Sequence, residues 1–337
     1  MSRALDAETA AALRLGDPLE AYGAISDALV PPADGLLDIE VLGKSHFLGG
    51  NQHVLVDGRA LGISKLSLVQ AFMVAREKLQ GHLDGTSLQT PDELSAATSV
   101  ILMFDPEHLT AANTRKRLLR EAVSEDGLPR SALEAEKRFV DSLLTSRLHR
   151  HTKSPTLWNH RRWLLGLLSS LQVPVDVLAD LRDVVFVAGE RHPRNYYAWC
   201  HARFLMGLKG DVPFSETLAA VRAWCFQHHT DISGWSFLLH LLEIRNKLTG
   251  ETGHSVFADV LDLVVSLRLV NDSVWVFLRT LAASHLVDDE QYARLRTVHA
   301  AVREASWGPA DGGAVMRSAL DWCEAYGRHN HARAAGV

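Results

Sequence analysis

The sequence predicts an all-α fold, an α-α superhelix built as a solenoid of antiparallel helix pairs, with a short irregular or weakly β segment near its N-terminus. The main observation is a repeat, because four tryptophans recur at intervals of 36 to 41 residues, a period that suits a helix–turn–helix unit. In addition, each tryptophan follows a polar or proline residue typical of a helix start and begins an apolar run. The four are Trp158, Trp199, Trp235 and Trp275.

Similar strings surround the four tryptophans: SPTLWNHRRWLLGLL at 154–168, RNYYAWCHARFLMGL at 194–208, DISGWSFLLHLLEIR at 231–245 and NDSVWVFLRTLAASH at 271–285. A fainter copy at 105–121 has Ala112 in the place of the tryptophan. Residues that favour helix starts precede each apolar run: Ser154-Pro155, Asn195, Asp231 or Ser233, and Asn271-Asp272.

A second amphipathic segment lies between successive tryptophan helices, at 175–188, 215–229 and 254–270. In the first of these, one helical face carries Leu178, Leu181, Val185 and Ala188. Repeats are therefore expected over 86–325, followed by a tail at 326–337 that frays from Asn330.

The N-terminal segment, 1–85, has a different pattern. Its glycine-rich stretch predicts short strands or an extended arm, with a weak hairpin through Asp57-Gly58. The first helix is predicted at 64–79, followed by a loop at 80–91.

Composition disfavours several classes of protein. The formal net charge of −5 disfavours general nucleic-acid binding. No stretch approaches 18 uncharged apolar residues, so no membrane span is expected, and the N-terminus lacks the apolar region of a secretory signal. Three cysteines without a CxxC motif fit a reducing compartment, and a cytoplasmic location is expected.

The motifs of common catalytic and metal sites are missing from the sequence, which has no HExxH, GxSxG, P-loop or strand-linked GxGxxG. The histidines of His149-x-His151 and of His228-His229 fall on differing helix faces, whereas His160 and His201 each follow a repeat tryptophan by two residues, as packing residues do. We therefore expect no metal site, no cofactor and no complete catalytic site on this chain, and we expect Cys200 and Cys225 to be buried inert thiols.

Two cations mark a candidate anion site. Lys153 and Arg194 each lie five residues before a repeat tryptophan, at a helix start. Unpaired N–H groups and the positive end of the helix dipole favour a diphosphate there. The alternative is that both are solvated loop cations. Tyr196 and Tyr197 either line the same cleft or pack on the neighbouring repeat. The four repeat tryptophans are expected to fill the seams between helix pairs rather than to stack on a ligand.

These strings resemble protein prenyltransferase alpha subunits. RNYYAWCHARFL is similar to the N-Y-x-x-W-x-x-R start of a repeat helix in that family, SPTLWNHRRWLL to a W-x-H-R-R repeat and NDSVWVFLR to the closing repeat. KSPTLWNHRRWLL, DPEHLTAANTRKRLL and QHVLVDGRALGISKLSLVQAFMVAREKL together resemble the branch of prenyltransferase alpha subunit repeat-containing proteins, in which Lys-Ser-Pro replaces Lys-Asn-Tyr. The resemblance covers roughly 50–285, about two thirds of the chain.

The resemblance implies a superhelix that wraps around a separate beta subunit, of the Rab geranylgeranyltransferase beta type. That partner would hold a zinc ion, and the substrates would be a prenyl diphosphate and proteins with C-terminal cysteines. Lys153 falls on the family's diphosphate-contacting lysine, and Asn195 and Tyr196 fall on the Asn-Tyr of the next repeat. The family's arginine, three residues after the tryptophan, is kept as Arg161 and, after Ala112, as Arg115; Arg203 and Arg279 are displaced by one residue, about 100° of helix face.

The leading functional hypothesis is therefore the alpha-type subunit of a heterodimeric protein prenyltransferase, with geranylgeranyl transfer to protein cysteines, as in a type III geranylgeranyltransferase. The alternative is a non-catalytic helical-repeat scaffold that kept the fold and lost the cleft contacts. The alpha subunit of a farnesyl or type I enzyme is a third reading, which the Lys-Ser-Pro substitution and the lack of a proline-rich N-terminal tail disfavour.

Overall fold

The computed structural model describes residues 16–47, 53–126, 130–208, 212–305 and 314–327. The chain divides into two compact units, residues 1–210 (unit 1) and 211–337 (unit 2). This division lies inside the stretch that the sequence predicts as repeats. The predicted fraying from Asn330 falls outside the described residues.

Unit 1 begins with a helix and a small mixed sheet. Helix α1 spans Pro18–Ala28, and the strands are β1 (Asp38–Leu42), β2 (Val54–Asp57) and β3 (Ala60–Ser64), with a 3₁₀ turn at Lys44–His46. The strand order is β1-β3-β2, in which β1 pairs parallel and β2 antiparallel with β3. The predicted hairpin at Asp57-Gly58 is confirmed, with Gly58 at φ +57°, a conformation that glycine adopts without steric cost.

Two predictions about this region are wrong in detail. The helix predicted at 64–79 is not the first, because α1 precedes it with Asp17 as its cap and Pro18 in its first turn. This helix, α2, spans Lys65–Leu83, so the loop begins at Asp84 rather than at Gln80. Ser64 caps its N-terminus by accepting a hydrogen bond from the Ser67 amide, and Gly85, at φ +72°, follows its C-terminal end.

The rest of unit 1 is helical. It contains α3 (Pro91–Phe104), α4 (Leu109–Asp126), α5 (Arg130–Leu144), the short α6 (His149–Thr152), α7 (Pro155–Ser170), α8 (Val177–Asp180), a π-helical segment (Leu181–Phe186), α9 (Val187–Arg191) and α10 (Tyr196–Leu205). Helix α7 packs against α4, α5 and α10, and α10 also packs against the π-helical segment. Of the apolar face predicted at 175–188, Leu181, Val185 and Ala188 are buried, whereas Leu178 is half-buried.

Unit 2 contains α11 (Phe214–Gln227), α12 (Ile232–Thr249), α13 (His254–Leu267), α14 (Asp272–Ala282), α15 (Asp289–Ala305), α16 (Ala314–Arg317) and α17 (Ala319–Tyr326). Helix α12 packs against α11 and α14, and α13 packs against α15. Helices that lie close together along the chain therefore pack on one another in each unit. The predicted all-α class with a weakly β N-terminal segment is confirmed.

The predicted starts of the tryptophan helices are found where the sequence places them. The cap side chains of Ser154, Asn195, Asp231 and Asn271 each accept a hydrogen bond from a backbone N–H in the first turn of α7, α10, α12 and α14, respectively. Where the sequence left Asp231 or Ser233 open, the cap is Asp231. Among the described residues, no helix is both long enough and apolar enough to span a bilayer.

Candidate functional site: the paired starts of α7 and α10

The repeat tryptophans are buried and anchor the helix starts. At most 4% of any of the four side chains is exposed. Three of them donate an indole N–H to a carbonyl oxygen six residues earlier: Trp158 to Thr152 at 2.9 Å, Trp235 to His229 at 3.0 Å and Trp275 to Leu269 at 2.9 Å. Each of these three tryptophans thus ties its own helix to the loop that leads into it.

The rings of these tryptophans also contact neighbouring helices. The Trp158 ring lies 5.1 Å from that of His201 on α10, and the Trp235 ring lies 5.0 Å from that of Phe277 on α14. Trp199 lies against Phe186 of the π-helical segment, with ring centroids 6.1 Å apart. A fully buried aromatic ring between helices contributes mainly to packing.

Arg161 is wholly buried and joins three helices. Its Nε lies 2.6 Å from Oδ1 of Asp141 on α5, and its Nη2 lies 3.0 Å from Oδ1 of Asp180 on α8. Nη1 contacts Nε2 of His201 at 2.6 Å. Burial alone would lower the pKa of Arg161, but the two carboxylates raise it, so the guanidinium stays charged inside the protein. Lys137 completes the cluster, with Nζ 2.9 Å from Asp141 and 2.8 Å from Asp180.

Arg115 occupies the equivalent place in the fainter repeat and is buried in the same way. Its Nη2 lies 2.6 Å from Oε2 of Glu136, and its Nη1 donates to the Ser95 carbonyl oxygen at 2.8 Å. His160 adds a contact of 2.9 Å from its Nε2 to Oε1 of Glu136. Burial would raise the pKa of Glu136, but the charge of Arg115 and the hydrogen bond with His160 hold it well below its ordinary value.

Sequence reasoning missed the carboxylates of these clusters. Glu136 and Asp141 lie among buried apolar residues of α5, and Asp180 lies at the end of α8. The available signal was an acidic residue on an apolar helix face, since a buried carboxylate requires a partner. The arginines that pair with Asp141 and Glu136 are 20 and 21 residues away in sequence, in helices whose packing the sequence pattern does not specify.

The predicted site residues lie together at the starts of α7 and α10, which we call the paired helix starts (residues 153–157 and 194–198). Lys153 is exposed and immediately precedes Ser154, the cap of α7. Arg194 is exposed, with φ +61°, and immediately precedes Asn195, the cap of α10.

Asn195 links the two starts. Its Oδ1 accepts a hydrogen bond from the Ala198 amide of its own helix at 3.3 Å. Its Nδ2 donates to the Thr152 carbonyl oxygen, immediately before Lys153, at 2.7 Å. Because Asn195 is 1% exposed, it positions the two loops rather than facing solvent. Tyr196 and Tyr197, in contrast, are 67% and 40% exposed, and their rings meet edge to face at 5.6 Å.

The caps use some of the backbone donors that the sequence offers to an anion. Ser154 Oγ accepts from the Leu157 amide at 3.1 Å, and Pro155 carries no N–H. Fewer backbone amides are therefore left for an anion at the start of α7 than the sequence suggests.

Two histidines lie just before the paired helix starts along the chain, His149 before Lys153 and His192 before Arg194. Nδ1 of His149, on α6, is 3.2 Å from Nδ1 of His192, the C-cap residue that directly follows α9. Partial burial, the charge of Lys153 and the proximity of His149 lower the pKa of His192, in that order. Lys153 is thus close enough to act on a residue of the neighbouring loop. In the described part of the chain, no group of three or more His, Cys, Asp or Glu residues is arranged to hold a metal ion.

The buried tryptophans, the capped helix starts and the charged cores define a helical-repeat protein. Residues 133–168, which cover α5 to α7, match the protein prenyltransferase alpha subunit repeat. Residues 157–261 match the ECM9 middle domain. The chain thus carries the protein prenyltransferase alpha subunit repeat, a repeat that implies a helical solenoid, in agreement with the fold class that the sequence predicts.

Relatives are similar over part of their length. Protein prenyltransferase alpha subunit repeat-containing protein 1 of Danio rerio is 30% identical over 171 residues, which cover 44% of this chain and 38% of that protein. Protein ECM9 of Saccharomyces cerevisiae is 28% identical over 186 residues, covering 53% and 48%. Geranylgeranyl transferase type-2 subunit alpha of Homo sapiens is 28% identical over 182 residues, covering 53% and 29%. The matched region thus spans less than half the length of each of these relatives.

Proposed function

We propose that this chain is the alpha-type subunit of a heterodimeric protein prenyltransferase that transfers a geranylgeranyl group to protein cysteines. Membership of the repeat family supports this, as does the similarity to a subunit named for geranylgeranyl transfer. The observation that carries it is the Asn195 hydrogen bond to the Thr152 carbonyl oxygen, which holds the loops of Lys153 and Arg194 side by side. A diphosphate has the charge that two such cations favour.

In this proposal the chemistry is divided between two subunits. A beta subunit, of the Rab geranylgeranyltransferase beta type, would hold a zinc ion, which would supply the lowering of the pKa of the substrate cysteine thiol. The thiolate sulfur attacks C1 of the prenyl diphosphate, a carbon–sulfur bond forms, and the bond to the diphosphate oxygen breaks. Lys153 and Arg194 stabilise the charge that builds on the leaving diphosphate, and Tyr196 lies on the rim of the same site. In this proposal the zinc ligands come from the beta subunit and the nucleophile from the protein substrate.

The proposal includes a cytoplasmic location. It is supported by three cysteines that are all unpaired in the structure, Cys200, Cys225 and Cys323. Burial raises the pKa of the Cys225 thiol well above its ordinary value, which makes it unreactive.

A second candidate is a non-catalytic interaction scaffold. It is favoured by the burial of Arg115, Arg161 and Asn195, because packing and ion pairing already account for these family-like residues without any ligand. A scaffold would keep them for folding alone.

One experiment distinguishes the transferase subunit from the non-catalytic scaffold. The tagged chain is purified from its native lysate, its co-purifying proteins are identified, and the pair is tested for transfer of labelled geranylgeranyl diphosphate to a protein with a C-terminal cysteine. The proposal predicts a beta subunit in stoichiometric amount, transfer by the pair, and no transfer by this chain alone. Stable complexes that contain no beta subunit, together with no transfer after reconstitution with one, would establish the scaffold.

A further inference from the structure

We propose that His149 and His192 belong to the anion site at the paired helix starts and that they take up a proton when a diphosphate binds. The proposal rests on the proposed function in one respect, that Lys153 and Arg194 face a diphosphate. It adds two residues that the family motif does not include and makes binding depend on pH.

The geometry limits the charge that the two rings carry together. The Nδ1 atoms are 3.2 Å apart, a distance at which one ring donates a hydrogen bond and the other accepts it. An imidazolium carries a proton on both nitrogens and has no acceptor. The contact therefore allows at most one of the two rings to be protonated, and a second proton would break it.

The surroundings of His192 disfavour a proton on that ring when no anion is present. Partial burial lowers the pKa of His192, followed by the charge of Lys153 and the proximity of His149. A bound diphosphate reverses this effect because it places negative charge beside Lys153 and an imidazolium. By linkage, a ligand that raises the pKa of a group binds together with a proton.

The other charged groups near the pair are ion-paired, hydrogen-bonded or exposed. On α6, Arg150 pairs with Asp105 at 2.9 Å, and His151 is buried with Nε2 3.0 Å from the Met103 carbonyl oxygen. On α9, Arg191 pairs with Asp38 at 3.0 Å, and Glu190 is exposed. Glu107, in the loop between α3 and α4, accepts a hydrogen bond at 2.7 Å from Thr156 in the first turn of α7.

The chemical class of ligand is thus a diphosphate group, which either a prenyl diphosphate or inorganic diphosphate supplies. A divalent metal ion fits less well, because Lys153 repels it as it repels a proton on His192.

The test is calorimetric titration of inorganic diphosphate into the purified full chain, at pH 6 to 8, in pairs of buffers with different ionisation heats. The buffer dependence of the heat counts the protons taken up. The variants are His149→Asn, His192→Asn and the double variant, with His46→Asn as control because His46 is exposed on the 3₁₀ turn. Circular dichroism and melting curves confirm that each variant is folded.

The wild-type chain should take up close to one more proton per diphosphate than the double variant near pH 6.5. Loss of one charge-assisted hydrogen bond should weaken binding about tenfold at pH 6 and less than about twofold at pH 8. The His46→Asn chain should behave as wild type. Geranylgeranyl diphosphate should show the same proton difference, because the pair recognises the diphosphate group and not the chain attached to it.

Three outcomes would overturn the inference: equal proton uptake and affinity in the wild type and the double variant, no measurable diphosphate binding to the wild-type chain, or zinc chloride binding that the same variants abolish.

Lys153→Ala separates this inference from the proposed function. If that variant loses transfer in the heterodimer while the histidine variants bind normally, only the inference fails. If the histidine pair binds with proton uptake while Lys153→Ala transfers normally, the proposed role of Lys153 in catalysis fails instead.

Discussion

The first tryptophan helix of unit 1, α7, and the tryptophan helices of unit 2 use different chemistry at the same repeat position, where α10 of unit 1 has the wholly buried Ala202. Three residues after Trp158, in unit 1, stands Arg161, which is wholly buried and paired with two carboxylates. Three residues after the tryptophans of unit 2 stand Leu238 and Leu278, which are also wholly buried. The position is thus interior in both units. An arginine there reflects carboxylates on the neighbouring helices and does not by itself indicate a ligand site.

The displaced arginines support the same conclusion. Arg203, one residue further along, lies within 3.4 Å of the Trp199 carbonyl oxygen, and Arg279 lies 4.8 Å over the Trp322 ring. Neither occupies the buried position, as the shift of one residue around the helix predicts.

The largest effect should follow loss of the buried arginine. Arg161→Ala leaves Asp141 and Asp180 buried without their main cation, and should lower the free energy of unfolding by about 3–5 kcal/mol. Arg162→Ala is the matched control, since that neighbour is exposed over Phe204, and it should change stability by less than about 1 kcal/mol. Urea unfolding followed by fluorescence measures both. Equal losses of stability in the two variants would show that the buried ion pairs of Arg161 do not stabilise the fold.

Trp158→Ala tests whether the repeat tryptophans are structural. Truncation of a buried aromatic side chain should cost about 3–5 kcal/mol, as it should for Trp275→Ala in unit 2. Both should show as folding defects in thermal melts. A Trp158→Ala chain with normal stability but no transfer in the heterodimer would instead make Trp158 a ligand-contacting residue.

Lys153→Ala should spare the fold, because this side chain is exposed. It should lower transfer by the reconstituted heterodimer about 10–100-fold, equivalent to about 1.4–2.7 kcal/mol of transition-state stabilisation. The loss should fall mainly on kcat if charge builds on the leaving group, and on KM if the lysine holds only the ground state. Arg194→Ala should lose less. An unchanged rate for Lys153→Ala in an active heterodimer would favour the scaffold.

Acid should weaken unit 1 through its buried histidines. Burial lowers the pKa of His151 to about 4, and burial, then Arg161, lowers that of His201 well below its ordinary value. The unfolded chain therefore binds more protons than the folded one below pH 6.5, so stability falls as the pH falls from there towards 4. At pH 5.5, His151 alone should cost about 1.4 kcal/mol relative to pH 7.5.

His151→Gln removes the titrating group, so this variant should lose less stability than the wild type between pH 7.5 and 5.5 in paired urea curves. Identical pH dependence in the two chains would show that His151 is not the group responsible.

The sequence by itself determined the features that depend on neighbours along the chain. The caps Ser154, Asn195 and Asn271 and the turn at Gly58 are local, because a cap or a tight turn involves residues two to four positions apart. The period of the tryptophans can be read from the sequence directly. Helix α1 was missed although its cap signals were present, since it is only 11 residues long and carries a glycine within it.

Only the tertiary structure decided which distant residues meet. The link between Asn195 and Thr152, like that between His149 and His192, joins residues 43 positions apart, and Arg161 reaches Asp141 across 20. Periodicity shows that a helix face is buried, but it does not specify which turn of the neighbouring helix lies against it. That choice depends on how whole helices pack, and here it placed the family arginines in the interior and linked the loops that carry Lys153 and Arg194.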